Sequence, residues 1–143
     1  MAIKLKLEGF DELLQQIEAA GRTAESAAES AVKASAQVMQ TELKSTLSAA
    51  TDSGLASRLP PPKVIKKGNE VSASVGFEPT AYTPRNLSDY HKAIFLNYGT
   101  PNRKAHGKEA ARNFVAKAKR RARPKIKKAE KEALEKIIER LKR

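Results

Sequence analysis

Apolar and polar positions alternate at the start of the chain, with Ile3, Leu5 and Leu7 set against Lys4, Lys6 and Glu8. That is the period of a half-buried strand, and Gly9-Phe10 closes it. Asp11 stands where the N-cap of a following helix is expected. From Leu13 the rhythm changes: Leu14, Ile17, Ala20, Ala24, Ala27, Ala28, Ala31, Ser35, Val38, Met39 and Leu43 recur at steps of three and four. This predicts an amphipathic helix with an alanine-rich seam. Gly21-Arg22-Thr23 is its natural break, because glycine costs about 1 kcal/mol relative to alanine inside a helix, so a short helix and then a long one are expected. At 1.5 Å per residue the stretch 23–47 would be roughly 37 Å long, more than one small core can cover, and its small side chains permit close approach of a second helix.

Between Ser48 and Pro62 the chain turns to Ser, Thr, Asp, Gly and three consecutive prolines. This composition ends helices and offers little apolar surface to offset ordering entropy, so a mobile loop is expected at about 48–62. Val64-Ile65 and then Val71, Ala73 and Val75 flank Lys67-Gly68-Asn69, which predicts a β-hairpin from Lys63 to Phe77. Glu78 to Leu87, with Pro79 and Pro84, reads as an irregular connection. Tyr90 to Tyr98 is a compact apolar group that fits helix or strand, with a helical turn preferred. Finally Phe114, Ala118, Ala122, Ile126, Ala129, Ala133, Ile137 and Leu141 form one more helical stripe, with a kink or short break expected at Pro124. The fold class is therefore α+β: a small antiparallel sheet with a hairpin packed against a long alanine-rich helix, plus a basic C-terminal helix. A single domain, residues 1–143, is expected, with a basic helical arm at about 108–143.

Composition sharpens this picture. A chain of 143 residues is large enough for one core, but with 5% aromatic residues and no Trp that core should be thin. The absence of cysteine excludes disulfides, thiolate zinc sites and cysteine nucleophiles. No run approaches the ~20 apolar residues a membrane-spanning helix needs, and the start does not form a signal-peptide core, so a protein with no membrane association and no export by that route is expected. The formal charge of +12 is unevenly placed: residues 1–100 hold 11 basic and 11 acidic side chains, and residues 101–143 hold 17 and 5. A cationic segment of this kind attracts nucleic acid, anionic lipid or an acidic protein surface.

Catalytic chemistry has little support. His91 and His106 lie far apart with no metal-ligand spacing around them, and phosphate-binding loops and nucleophile elbows are absent. Most carboxylates alternate with Lys and Arg on helices, as on a solvated face. No catalytic residue, metal or cofactor is expected.

Tyr90-His91-Lys92-Ala93-Ile94-Phe95-Leu96-Asn97-Tyr98-Gly99-Thr100 is followed by basic and small residues and then by Asn113-Phe114-Val115 opening the last helix. This arrangement resembles the tail-completion, or minor tail component, family of long-tailed bacteriophages, and Thr51-Asp52-Ser53-Gly54-Leu55 is similar to the Gly-Leu element that precedes that family's hairpin. The resemblance covers most of the chain. Asn113 stands where proline is usual, and the tail is unusually basic. The resemblance implies a non-enzymatic α+β virion protein, made in the host cytoplasm, that forms a homo-oligomeric ring at the head-tail junction among neighbouring neck or tail proteins. Its motif residues here are Phe95, Leu96, Tyr98, Gly99, Thr100 and Phe114. On physical grounds Gly99 permits a turn, Thr100 can cap the next element, and Phe95, Leu96 and Tyr98 can anchor that turn in the core.

Arg120, Arg121, Arg123, Lys125, Lys127 and Lys128 crowd the narrowest part of the last apolar stripe, where only Ala118, Ala122 and Ile126 have surface to bury. They are expected to face an anionic partner, with non-specific contact to double-stranded DNA preferred over acidic subunits. No aromatic residue follows Phe114, so stacking on single-stranded bases is not expected. A free nucleic-acid-binding protein is the competing reading, without any helix-turn-helix, zinc-finger or RNP signature. A membrane-surface protein would need a more apolar helical face.

Overall fold

A computed structural model describes residues 2–7, 9–19, 24–51, 53–67, 70–103, 107–109 and 111–141. The first strand, β1 (Ala2–Lys6), leads into helix α1 (Asp11–Ala19) and then α2 (Ala24–Ala50). The break anticipated at Gly21-Arg22-Thr23 lies outside the described residues, between the two helices. Asp11 sits within the first turn of α1, beside Glu12, so it complements the helix dipole from inside the helix instead of capping it from outside.

The hairpin forms as the alternation predicts: β2 (Lys63–Lys67) pairs antiparallel with β3 (Glu70–Gly76), with Lys67 opposite Glu70. Its expected turn residues, Gly68 and Asn69, lie outside the described residues. Strand β1 pairs antiparallel with the other side of β3, Ile3 opposite Val75 and Leu5 opposite Ala73, giving the order β1-β3-β2. Because side chains alternate across a strand, Ile3, Val71, Ala73 and Val75 share the face turned to α2 and are buried there with Val32, Ala36, Met39, Leu43 and Leu47. The α+β expectation holds.

After β3 come helix α3 (Asp89–Tyr98), a short hairpin of β4 (Thr100–Arg103) and β5 (Gly107–Glu109), and helix α4 (Phe114–Leu141). The apolar group at 90–98 is thus helical, and the β4–β5 pair was not anticipated. Helix α4 is continuous through Pro124, so the short break, one of the two outcomes expected there, does not occur. Pro124 is exposed, so the carbonyl that loses its helical donor can turn to water.

The basic C-terminal segment does not stand off as an arm. It runs antiparallel to α2: Phe114 and Lys117 lie near Thr46 and Ala50, Lys125 reaches Glu42, and Leu134 packs with Ala27 and Ala31. Small residues at this seam, Ser35 on α2 and Ala118 and Ala122 on α4, are all fully buried. Ser35 and Thr46 settle their hydroxyls by donating to carbonyls three residues back, so their burial leaves no donor unmet. With α2 about 40 Å long, the pair outruns the sheet. Its far end is closed by α1 in a second cluster of Ile17, Ala27, Ala31 and Leu134, flanked by Phe10 and Leu13.

The connection expected as a mobile loop at 48–62 differs in two respects. Helix α2 continues to Ala50, and a single 3-10 turn occupies Ala56–Arg58. The want of apolar anchors, on which the expected mobility rested, does not hold: Leu55 and Leu59 are buried in the main core. Gln40 also donates to the Pro60 carbonyl at 3.0 Å, and Arg58 pairs with Asp89 of α3 at 3.1 Å. Asp52 lies outside the described residues.

Candidate functional site

Two places singled out in the sequence can be followed into space, the Gly-Thr turn and the basic helix. Ser88 caps α3, its hydroxyl accepting from the His91 amide, and Gly99 ends the helix with φ +80 while donating to the Phe95 carbonyl at 2.8 Å. A positive φ of this kind is what glycine supplies at low cost. Leu96 is buried and Phe95 half-buried, as anticipated, but Tyr98 is 68% exposed and anchors nothing. Thr100 opens β4, its backbone opposite that of Glu109.

The residue that organises this turn was not singled out. Asn97 is buried, and its side-chain carbonyl accepts from the Val115 amide at 3.1 Å, in the first turn of α4. Its backbone carbonyl accepts from Asn113 and that of Leu96 from Arg112. Asn97 therefore caps a helix eighteen residues downstream, supplying an acceptor to one of the unpaired amides at the start of α4. Asn113, the position where the resembled family usually has proline, takes φ +52, a conformation closed to proline and tolerated by asparagine. Phe114 then enters the core. The motif is a splice between α3 and α4.

His91 has its Nδ1 3.1 Å from the Ser88 hydroxyl and its ring against Tyr82, Tyr90 and Phe95, a packed position on α3. His106 lies outside the described residues, among which no group of three or more His, Asp or Glu side chains is placed to hold a metal.

The six cations of α4 do not share one surface. Lys125 reaches across to Glu42, whose side chain is only 10% exposed, so this lysine neutralises a carboxylate held at the helix seam. Lys127 lies 5.3 Å from the centroid of the Phe10 ring, a cation-π contact. Arg121 lines a cleft of about 160 Å³ with Arg112 and Lys117 beside Ala49 and Ala50, the end of α2. That helix has no basic residue in its own last turn, and these three side chains place positive charge beside its negative pole. Packing and local electrostatics thus occupy three residues that sequence reasoning assigned wholly to a partner. Arg123 faces the opposite flank, toward β1. Arg120 and Lys128 are exposed and have no ion pair among the described residues. Residues 114–128 hold eight basic and no acidic side chains, whereas 129–141 hold three and four, so the charge is concentrated over the half of α4 nearest the sheet. No described helix is long and apolar enough to cross a membrane.

No curated protein and no solved structure significantly matches the chain. A protein-family model does, over residues 11–99, from the first turn of α1 to the glycine that ends α3; it describes the HK97-gp10-like family as "Bacteriophage HK97-gp10, putative tail-component". The matched region carries nine basic and ten acidic residues, so the cationic helix lies beyond it. A match spanning most of the chain, over α1, α2, the β2–β3 hairpin and α3 with its Gly99 end, makes this protein a member of the HK97-gp10-like family of phage tail components.

Proposed function

We propose that the protein is a tail-completion or neck component that assembles as a homo-oligomeric ring at the head-tail junction and joins tail to head by ordered binding, without catalysis. The family match over residues 11–99 carries this reading. The Asn97 splice supports it, because it holds the Gly99 turn and α4 in fixed relation as a scaffold requires. Neighbouring neck and tail proteins are its partners, and the virion is its location. Deleting the gene from its phage or prophage should leave filled heads and separate tails by electron microscopy, with joining restored by the purified protein. Joined, infectious particles made without it would refute the assignment.

A second element of the proposal concerns Arg120 and Lys128, the outward cations with no ion pair among the described residues. Packing does not require them, and duplex DNA passing through a ring would meet such a face. Binding to duplex DNA should be independent of sequence and weaken steeply between 50 and 200 mM salt. Replacing both residues with Gln should reduce the slope of log affinity against log salt by about 2, near 0.9 for each phosphate that is no longer neutralised. An unchanged slope, together with failure to assemble in the absence of DNA, would transfer the role to an acidic neighbouring subunit. DNA binding with no assembly defect on deletion would favour a free nucleic-acid-binding protein.

A further inference from the structure

The cleft between β1 and α4 has a construction that the head-tail reading does not use. Among the described residues strand β1 is an edge strand, bonded on one side to β3, so alternate backbone N–H and C=O groups on its other side point away from the sheet. Ile3, Lys4, Leu5 and Lys6 all border one cleft of about 270 Å³. Successive side chains of a strand point to opposite faces, so a cleft bordered by four in a row runs along the strand's edge. Helix α4 supplies the opposite wall through Lys119, Arg123, Ile126 and Lys127, and Met39 of α2 lies at the base.

We propose that this cleft receives an extended segment of a partner protein, with acidic side chains alternating with aliphatic ones, that adds to the sheet beside β1. Backbone groups of the edge would bind its main chain, Leu5 and Ile126 its aliphatic side chains, and the cations its carboxylates. Among the described residues five cations border the cleft against one carboxylate, Glu130, which is itself buried and engaged. Lys6 is paired with Glu70 and Lys127 lies by Phe10, while Lys4, Lys119 and Arg123 have no ion pair among the described residues. The same charges argue against a second copy as occupant, since antiparallel pairing of two β1 strands would bring lysines of like charge together along the edge. Duplex DNA suits the convex outer side of α4 better than a recess with an aliphatic base. The inference stands on the cleft and survives failure of the head-tail assignment.

The test uses the full chain and a fluorescent seven-residue peptide of alternating glutamate and valine. Anisotropy should show saturable binding, and hydrogen exchange should show new protection of the outward, alternate amides within residues 3–6. Lys119→Glu with Arg123→Glu should weaken binding at least tenfold, whereas Arg120→Glu with Lys128→Glu, an identical change in net charge, should alter it less than threefold. If the first pair fails to fold by circular dichroism, Lys119→Gln with Arg123→Gln should still weaken binding at least threefold. A peptide with its glutamates in one block and valines in the other should bind at least tenfold more weakly. Equal losses in the two charge-reversed proteins, binding without protection of β1, or no binding at millimolar peptide would overturn the proposal. So would displacement of the peptide by duplex DNA, or concentration-dependent protection of β1 without peptide, which would put DNA or a second copy in the cleft.

Discussion

Helices α2 and α4 are nearly equal in length, 27 and 28 residues, and lie side by side, yet they are written in different alphabets. Helix α2 has three acidic and two basic residues, while α4 has eleven basic and four acidic. The contrast follows from how each is surrounded. The sheet covers one side of α2 and α4 another, so its buried positions include Val32, Leu43 and Leu47 toward the sheet side and small residues such as Ala31 and Ser35 in the remainder. Helix α4 buries a single stripe, and the rest of its circumference is exposed. Packing leaves that surface unconstrained, which is why a partner's chemistry can be read there and not on α2. Even so, Lys125 and Arg121 show that charge on an exposed face can serve the fold.

The largest effects should come from the shared interior. Leu47→Ala, at a fully buried site in the main core, should lower unfolding stability by about 2–5 kcal/mol in urea titration, and Leu134→Ala in the smaller cluster should fall nearer the lower end. Arg120→Gln should stay within about 0.5 kcal/mol. Comparable losses at Leu47 and Arg120 would erase the distinction between the helices.

Next is Lys125→Gln, which strands the nearly buried Glu42 carboxylate and should cost about 1–3 kcal/mol, with Lys128→Gln as the neutral control three residues on. Equal midpoints for these two proteins would mean that the basic face is uniform after all. Asn97→Ala removes the cap on α4 and should cost about 0.5–2 kcal/mol, while Asn97→Asp, which keeps an acceptor, should recover part of it.

The smallest effect is on the acid side. Hydrogen bonds from Lys66 and Lys33 hold Glu29 below the ordinary glutamate value, and the one from Lys6 does the same for Glu70. Each carboxylate binds fewer protons folded than unfolded. Its contribution is therefore complete above the unfolded value and disappears as pH falls through the lowered one. Solvent screening keeps both contributions small. The urea midpoint should decline slightly faster below the usual glutamate range than in a Glu29→Gln, Glu70→Gln protein, and superimposable acid limbs would show that neither pair contributes.

Period and punctuation carried the local elements. Alternation at Ile3–Leu7 and Val71–Val75 specified strands, and three-and-four spacing specified α2 and α4, because one buried face imposes its repeat on each element. What escaped depends on residues distant in sequence. Asn97 meets Val115 across eighteen positions and Lys125 meets Glu42 across eighty-three, and no local signal links the members of either pair. Leu55 and Leu59, spaced among Ser, Gly and Pro, have no period to betray them, although they are the anchors of that connection. In the candidate surface, the cationic composition was legible, but its division between two flanks of α4 required knowing which side faces α2 and which faces β1.

The buried residues fall into two clusters of unequal size, bridged by the half-buried Leu7. Among the described residues the cluster under α1 holds four buried side chains, three of them on the helices it closes, so opening of α1 is expected to cost a fraction of global unfolding. Such an opening would bare Ala27, Ala31 and Leu134, converting the distal end of the α2/α4 pair into a transient apolar surface without melting the rest of the subunit.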